Sequence, residues 1–410
     1  MPAPLDQLTA RLLDAALKAG AEAADAIAVR EASIGIDVRG GALEQAERSE
    51  GTEIGLRVLI GRRQSCVSAS DLTDATIAEM AERAVTMARL APEDPGAGLA
   101  DPSQLATDWD AAALDLVDPA DEPAPAALQD AALALESGAA SIDGVTQVQS
   151  ASAGHGWAEI HLAATNGFSG GYRRSSTSYS AVAISGEGTG MERDYHGESR
   201  VYAADLPDPH GIGVIAGERA VALQGARRAK TGAYPVIFDE RIASSLIGNL
   251  VMAINGTAIA RGSSWARDLL GQQILPRGID LVEDPFRPRV SGSRPFDGEG
   301  LPRQRRAIVE DGILTGWTLD LATGRKLGLP STGNAARGTG APPQPSVTNL
   351  ALTQGTQSRA DLMAEIGTGL LVTSMIGSTI NPNTGDYSRG ASGFWVEGGE
   401  ICLLYTSDAA

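Results

Sequence analysis

Gly367–Ile401 reads GTGLLVTSMIGSTINPNTGDYSRGASGFWVEGGEI, and this stretch decides how the C-terminal part of the chain folds. An apolar run, Leu370, Leu371 and Val372, leads into a glycine-punctuated segment holding Asp386, Tyr387 and Arg389, then the aromatic pair Phe394-Trp395. Glycines this dense between apolar residues predict short strands joined by tight turns, because glycine alone tolerates positive φ and close backbone approach. The pattern extends upstream: residues 271–401 are dominated by Gly, Pro and short apolar runs, as in a β-rich domain.

Moving toward the N-terminus, residues 239–255 (DERIASSLIGNLVMAIN) set Ile242, Leu246, Ile247, Leu250, Val251 and Ile254 at helical spacing. Tyr234–Phe238 reads as a short strand before that helix. Further helices are predicted over 211–229 and 126–138, with strands at 145–153, 157–164 and 173–185. Residues 91–125 contain Pro92, Pro95, Pro102, Pro119, Pro123 and Pro125 among Asp and Ala, the composition of a linker. At the start, Leu5, Leu8, Leu12, Leu13, Ala16 and Leu17 form a helical stripe closed by Gly20. Ile34, Ile36 and Val38, then Ile54, Leu56, Val58 and Ile60, alternate as strands on either side of a Gly40-Gly41 hairpin turn. Ile77, Met80, Ala81, Ala84, Val85 and Ala88 give a second helical face.

The fold class is therefore α+β. An N-terminal helix–sheet–helix unit spans 1–90 and a linker 91–125; a middle α/β domain spans 126–230, and a β-rich C-terminal domain opened by a helix spans 231–401.

With 410 residues and 43% hydrophobic composition, the chain can bury a sizeable core. A net charge of −18, from 51 acidic against 33 basic residues, repels phosphate backbones and argues against nucleic-acid binding. No run approaches the roughly 18 apolar residues that cross a bilayer. The opening MPAPLDQLTARLL lacks a secretory pattern, and Cys66 and Cys402 make no disulfide framework, so a cytoplasmic location is expected.

The four histidines are His155, His161, His196 and His210, and neither HExxH nor HExxxH occurs. His155 and His161 sit six apart, and in extended strand conformation they would lie roughly 20 Å from each other, too far to share a metal. They are expected to face solvent, with His196 and His210 in polar loops. Cys66 reads as a partly buried structural thiol. No nucleophile elbow or phosphate loop is present. Three polar groups stand out: Arg193 and Asp194 in GMERDYHGESR; Asp297 and Glu299 in a tight turn before Arg303, Arg305 and Arg306; and Asp386, Tyr387 and Arg389. Such residues either pin loop backbones or line a peptide cleft. Pinning is the favoured role, since no nucleophile, base or metal set accompanies them.

GDYSRGASGFWVEGGEI, PFDGEG, IVEDGILTGW, TGRKLGLPSTGNAARG, MERDY and the N-terminal DVRGGALEQAERSEGTEIGLRVLIGRRQSCVSASDL occur together over about residues 20–401. In that wording and order the chain resembles the PmbA/TldE branch of the TldD/PmbA metallopeptidase family. The resemblance implies three domains in the order already read. TldD-like members carry HExxxH on the helix opening the C-terminal domain; here Ala243–Ser264 reads ASSLIGNLVMAINGTAIARGSS, with no His and no Glu. The resemblance further implies a subunit with no cofactor of its own, zinc being expected only in a TldD-like catalytic partner. The pair would form an oligomer that acts on small or unfolded peptides, with no direct contact to nucleic acid or membrane. Whether the chain is itself an enzyme stays open. The alternatives are a peptidase with an unconventional site around Asp297, Glu299 and the Asp386 loop, or a non-proteolytic binding and regulatory protein. The older family label, modulator of DNA gyrase, gains no support for direct DNA contact from the −18 charge. Residues 402–410, CLLYTSDAA, depart from the family wording and are expected to be a foreign tail on a shortened domain.

Overall fold

The computed structural model describes residues 3–229, 231–377 and 380–406. Helix α1 (Leu5–Ala19) is followed by β1 (Ala23–Arg39), β2 (Ala42–Ile60), β3 (Arg63–Ala69) and α2 (Asp74–Leu90). Then come α3 (Pro125–Ala140), β4 (Val145–Ala164), β5 (Ser169–Ser185), β6 (Glu192–Arg200) and α4 (Pro209–Ala222). The six strands make one antiparallel sheet in the order β3-β2-β1-β4-β5-β6. The first unit and the middle segment thus share a single sheet, joined where β1 pairs with β4.

Side-chain alternation assigns the two faces of that sheet. Ala24, Ala26 and Ala28 lie directly opposite Val58, Leu56 and Ile54, and this face packs on Leu8 and Leu12 of α1 and Met80 and Ala84 of α2. Farther along β1 the same parity continues as Ile34, Ile36 and Val38, covered by Leu128 and Leu135 of α3 and Ile212 and Ala216 of α4. Helices α3 and α4 approach closely because Gly213 has no side chain; a Cβ there would lie 2.0 Å from the Leu135 carbonyl oxygen. At the β1–β2 turn Gly40 and Gly41 adopt φ of 62° and 74°, as the sequence predicts. Their N–H groups donate to the two carboxylate oxygens of the buried Glu136, at 2.5 and 2.8 Å.

The opposite face, carrying Ile27, Leu162 and Phe168, packs on Phe296 from the C-terminal part of the chain. That part comprises β7 (Val236–Phe238), α5 (Glu240–Ala253), α6 (Gly256–Arg261), β8 (Leu281–Glu283), β9 (Arg306–Glu310), β10 (Ile313–Leu314) and α7 (Leu321–Leu327). It continues through β11 (Ala335–Ala336), β12 (Gln344–Pro345), β13 (Leu350–Leu352), α8 (Arg359–Ile366), β14 (Thr368–Ile376), β15 (Gly390–Glu397) and β16 (Glu400–Thr406). The sheet orders are β10-β9-β8-β13, β11-β12 and β16-β15-β14-β7, with β7 parallel to β14. The 370–396 stretch is thus a β-hairpin, and β16 pairs along β15.

Several expectations need correction. The strands read at 145–153 and 157–164 are one strand, because Gly154 and Gly156 stay paired with both β1 and β5 and so do not break the ladder. The helix read over 211–229 ends at Ala222, and the 239–255 helix gives way to the separate α6 at the Asn255 N-cap. The segment holding Arg193, Asp194 and His196 is the edge strand β6 rather than a loop, and His210 lies in the first turn of α4. His155 and His161 are half-buried instead of solvent-facing. His161 Nδ1 is 2.9 Å from the Thr9 hydroxyl of α1, His155 Nδ1 is 3.0 Å from that of Thr177, and burial lowers both pKa values. Residues 402–406 of the expected foreign tail belong to β16, and 407–410 lie outside the described residues.

The Pro-rich segment 91–125 is held against the C-terminal part. Arg325 of α7 donates to the carbonyls of Gly96 and Leu99 at 3.1 and 2.6 Å, and Lys326 pairs with Asp94 at 2.8 Å. Among the described residues no helix is long and apolar enough to cross a membrane.

Candidate functional site

The polar candidates fall into three places. The first is the N-terminus of α5. Asp239 caps the helix, accepting from the Arg241 N–H at 3.1 Å, and pairs with the guanidiniums of Arg241 (3.0 Å) and Arg359 (3.4 Å). Arg241 also reaches Asp194 of β6 at 2.9 Å, tying the edge of the large sheet to α5. A cleft of about 370 Å³ opens there between α4, α5 and the β14–β15 hairpin, with Asp194, Glu218, Arg219, Glu240 and Arg241 on its wall. Arg193, on the alternate face of β6, instead donates to Gln149 at 3.3 Å.

Downstream of this cap, α5 turns Leu250 into the core and buries Asn249; Ile254, just past its end, is also buried. Zinc in proteins is held by Cys, His, Asp and Glu. Residues 243–264 supply none of them, and among the described residues no three such side chains converge as a metal set. Residues 243–264 therefore offer zinc no side-chain ligand.

The second place is the PFDGEG turn. Asp297 Oδ1 accepts from the N–H groups of Glu299 and Leu301, both at 2.9 Å, and Oδ2 accepts from that of Ala335 at 3.0 Å. Glu299 accepts from the Leu321 N–H at 2.9 Å, fixing the start of α7. Burial, then the neighbouring Asp297 charge, pushes the Glu299 carboxyl up to about 8. Burial also raises Asp297, against the pull of its three N–H donors. Arg306 binds Glu283 at 2.9 Å, the Trp317 carbonyl at 2.9 Å and the Thr318 hydroxyl at 3.0 Å. All three side chains bind their neighbours' backbone or a structural partner.

The third place is the β14–β15 connection. Asp386 accepts from the Thr384 hydroxyl at 2.7 Å, the exposed Tyr387 hydroxyl lies 3.1 Å from Met375 Sδ, and Arg389 Nε is buried without a hydrogen-bond partner among the described residues. These residues share no hydrogen bond or ion pair with the PFDGEG turn among the described residues.

Sequence reasoning missed a buried group of three charges. Asp25 of β1 pairs with Arg57 of β2 and with Arg337 of the C-terminal segment, and every one of these side chains is at most 5% exposed. A usable signal was present: Asp25 interrupts the apolar run 23–29 (AADAIAV), and Arg57 interrupts the run 54–60 (IGLRVLI). Cys66, opposite Arg57 on β3, is half-buried and its thiol is pushed up to about 11 by burial.

Sequence profiles of the PmbA/TldA metallopeptidase domains match the chain in order: domain 1 over residues 24–88, the central domain over 118–224 and the C-terminal domain over 231–404. The chain is 34% identical over 380 residues to the metalloprotease PmbA of Escherichia coli O157:H7, covering 93% of this chain and 82% of that one. It is 34% identical over 407 residues to a metalloprotease PmbA homolog of Haemophilus influenzae, covering 97% and 86%. A crystal structure from Bacteroides thetaiotaomicron, described as a candidate modulator of DNA gyrase, superposes with a TM-score of 0.89 at 26% identity, over 98% of this chain and 89% of the other. TldE from Thermococcus kodakarensis shares the fold, with a TM-score of 0.81 at 20% identity over 97% and 90%.

Proposed function

Because this chain belongs to the PmbA/TldD metallopeptidase family, we propose that it is a subunit of a peptidase assembly whose zinc resides in a TldD-like partner. The observation that carries this reading is the α5 helix. It keeps the apolar stripe of a core helix, with Leu250 and Ala253 buried, yet residues 243–264 offer no imidazole, thiolate or carboxylate. What this chain contributes is then shape: the long sheet and the β14–β15 hairpin form walls against which the partner closes a chamber.

The charged cleft at the α5 N-terminus suits a peptide-guiding role better than a chemical one. Asp194 and Asp239 are both engaged in the Asp194–Arg241–Asp239–Arg359 chain of ion pairs, so neither of these carboxylates is left as a free base. A peptidase centred on Asp297 and Glu299 is disfavoured because both carboxylates are buried and engaged by backbone N–H groups. Zinc, when held by the partner, supplies the activated water.

Co-purification with a TldD-like protein tests the association. Light scattering of the mixture is expected to give a stable hetero-oligomer whose interface, at about 2,000 Å² or more, survives dilution. Two species that elute separately at micromolar concentration would contradict it.

A further inference from the structure

A cavity of about 270 Å³ lies between the large sheet and the C-terminal segment, away from α5, and four arginines line it: Arg174, Arg294, Arg303 and Arg337. We propose that this cavity is a binding site for a small carboxylate with an aliphatic body.

The charge balance of the wall favours an anion. The chain has 51 Asp and Glu against 33 Lys and Arg, so carboxylates are plentiful for pairing. Yet among the described residues no carboxylate lies within ion-pair distance of Arg174, Arg294 or Arg303. Arg174 and Arg294 both donate to the same carbonyl, that of Ser291, at 3.0 and 2.8 Å. Two guanidiniums are thereby held side by side with only backbone dipoles between them. Among the described residues Arg303 hydrogen-bonds only to the carbonyls of Phe296 and Ala335, at 3.3 and 3.5 Å. Asp297 also lines the cavity, but its oxygens are taken by the three N–H donors already described.

Arg337 adds a buried donor to this wall. Its side chain is 1% exposed and paired to Asp25, but its Nε has no hydrogen-bond partner among the described residues. A buried, unpaired donor of a charged group costs several times what an exposed one does, unless an acceptor reaches it. Burial lowers the pKa of Arg174, Arg303 and Arg337, the neighbouring charge of Arg294 adding to the effect on Arg174. An anion in the cavity would supply the counter-charge that Arg174, Arg294 and Arg303 lack among the described residues.

The remaining wall selects the body of the ligand. Ile27, Val29, Ile160 and Leu162 come from the sheet, with Tyr172 and Phe296 beside them. The planar guanidinium fork matches carboxylate and phosphate alike. A phosphate, however, would set hydrated oxygens against the apolar half, where an aliphatic chain gains by leaving water. The site lies outside the α5 cleft and stands whether or not the subunit reading holds.

Isothermal titration calorimetry of the full chain with N-acetyl-leucine, N-acetyl-leucinamide and inorganic phosphate tests it. N-acetyl-leucine is expected to bind saturably, and the uncharged amide at least about tenfold more weakly, the loss of one charge-assisted hydrogen bond. Arg294→Gln and Arg174→Gln, whose side chains hydrogen-bond only to carbonyls among the described residues, are each expected to weaken N-acetyl-leucine about tenfold while leaving the thermal melt unchanged. Absence of N-acetyl-leucine binding, tighter binding of phosphate, equal binding of acid and amide, or indifference to both substitutions would each overturn the proposal.

Discussion

Arg57 donates from Nε to Oδ2 of Asp25 at 2.7 Å, and the two residues are directly opposed partners in the β1–β2 ladder. The pair lies on the sheet face that receives the C-terminal segment, and Arg337 of that segment closes on the other carboxylate oxygen. One buried carboxylate therefore holds two guanidiniums and links the large sheet to the loop carrying β11. Such a group adds little net stability as a whole, but removing one partner strands charge in a medium that cannot solvate it.

Asp25→Ala is accordingly expected to destabilise the chain by about 3–5 kcal/mol, because two buried guanidiniums lose their shared counter-charge. Arg11→Ala, which breaks the exposed pair with Asp74, is expected to cost no more than about 1 kcal/mol. Urea unfolding of both variants compares them; a cost below about 1 kcal/mol for Asp25→Ala would contradict the burial described here.

Glu299 predicts a pH dependence with a definite sign. Its carboxyl, near 4.5 in the unfolded chain, is raised to about 8 by burial and then by Asp297. Between those values the folded state holds the proton and the unfolded state does not, so stability falls as pH rises. The contribution is intact below the unfolded value and lost above the folded one. Glu299→Gln removes the titration while keeping an acceptor for the Leu321 N–H. Its melting temperature relative to the parent should climb from about pH 5 to about pH 8. A difference that stays flat over this range would show that Glu299 is ionised in the folded chain.

Gly55 and Gly51 share β2 but not an environment. A Cβ at Gly55 would lie 2.2 Å from the Thr339 carbonyl oxygen, whereas one at Gly51 meets nothing within 4 Å. Gly55→Ala is expected to cost about 1–3 kcal/mol by pushing the 333–340 loop off the sheet. Gly51→Ala should be neutral or slightly stabilising, since it restricts the unfolded chain. Thermal melts of the two variants decide this, and equal effects would mean that the loop does not pack on Gly55.

Much of this arrangement was legible in the residues. Helical stripes such as Leu5, Leu8 and Leu12, the Gly40-Gly41 turn and the Leu370–Val372 run mark their elements because periodicity and positive φ are local properties. The PFDGEG turn was legible as a pinned loop for the same reason: Asp297 bonds N–H groups two and four residues ahead of it. Long-range placement was not. Gly154 and Gly156 look like strand breakers until β1 and β5 are set on either side of them. GMERDYHGESR looks like a polar loop because an edge strand can be polar on alternate residues. Asp25 and Arg337 are 312 positions apart, and no local pattern connects them.

The central claim is that catalytic zinc belongs to a partner and not to this chain, and zinc content measured alongside peptide cleavage tests it most directly. The purified chain, a TldD-like protein and their complex, all without metal-binding tags, are dialysed, assayed for zinc and given an unfolded peptide. The account predicts no stoichiometric zinc and no cleavage for this chain alone, and about one zinc per TldD-like subunit with cleavage by the complex. About one tightly held zinc per chain, together with cleavage by this chain in isolation, would contradict it.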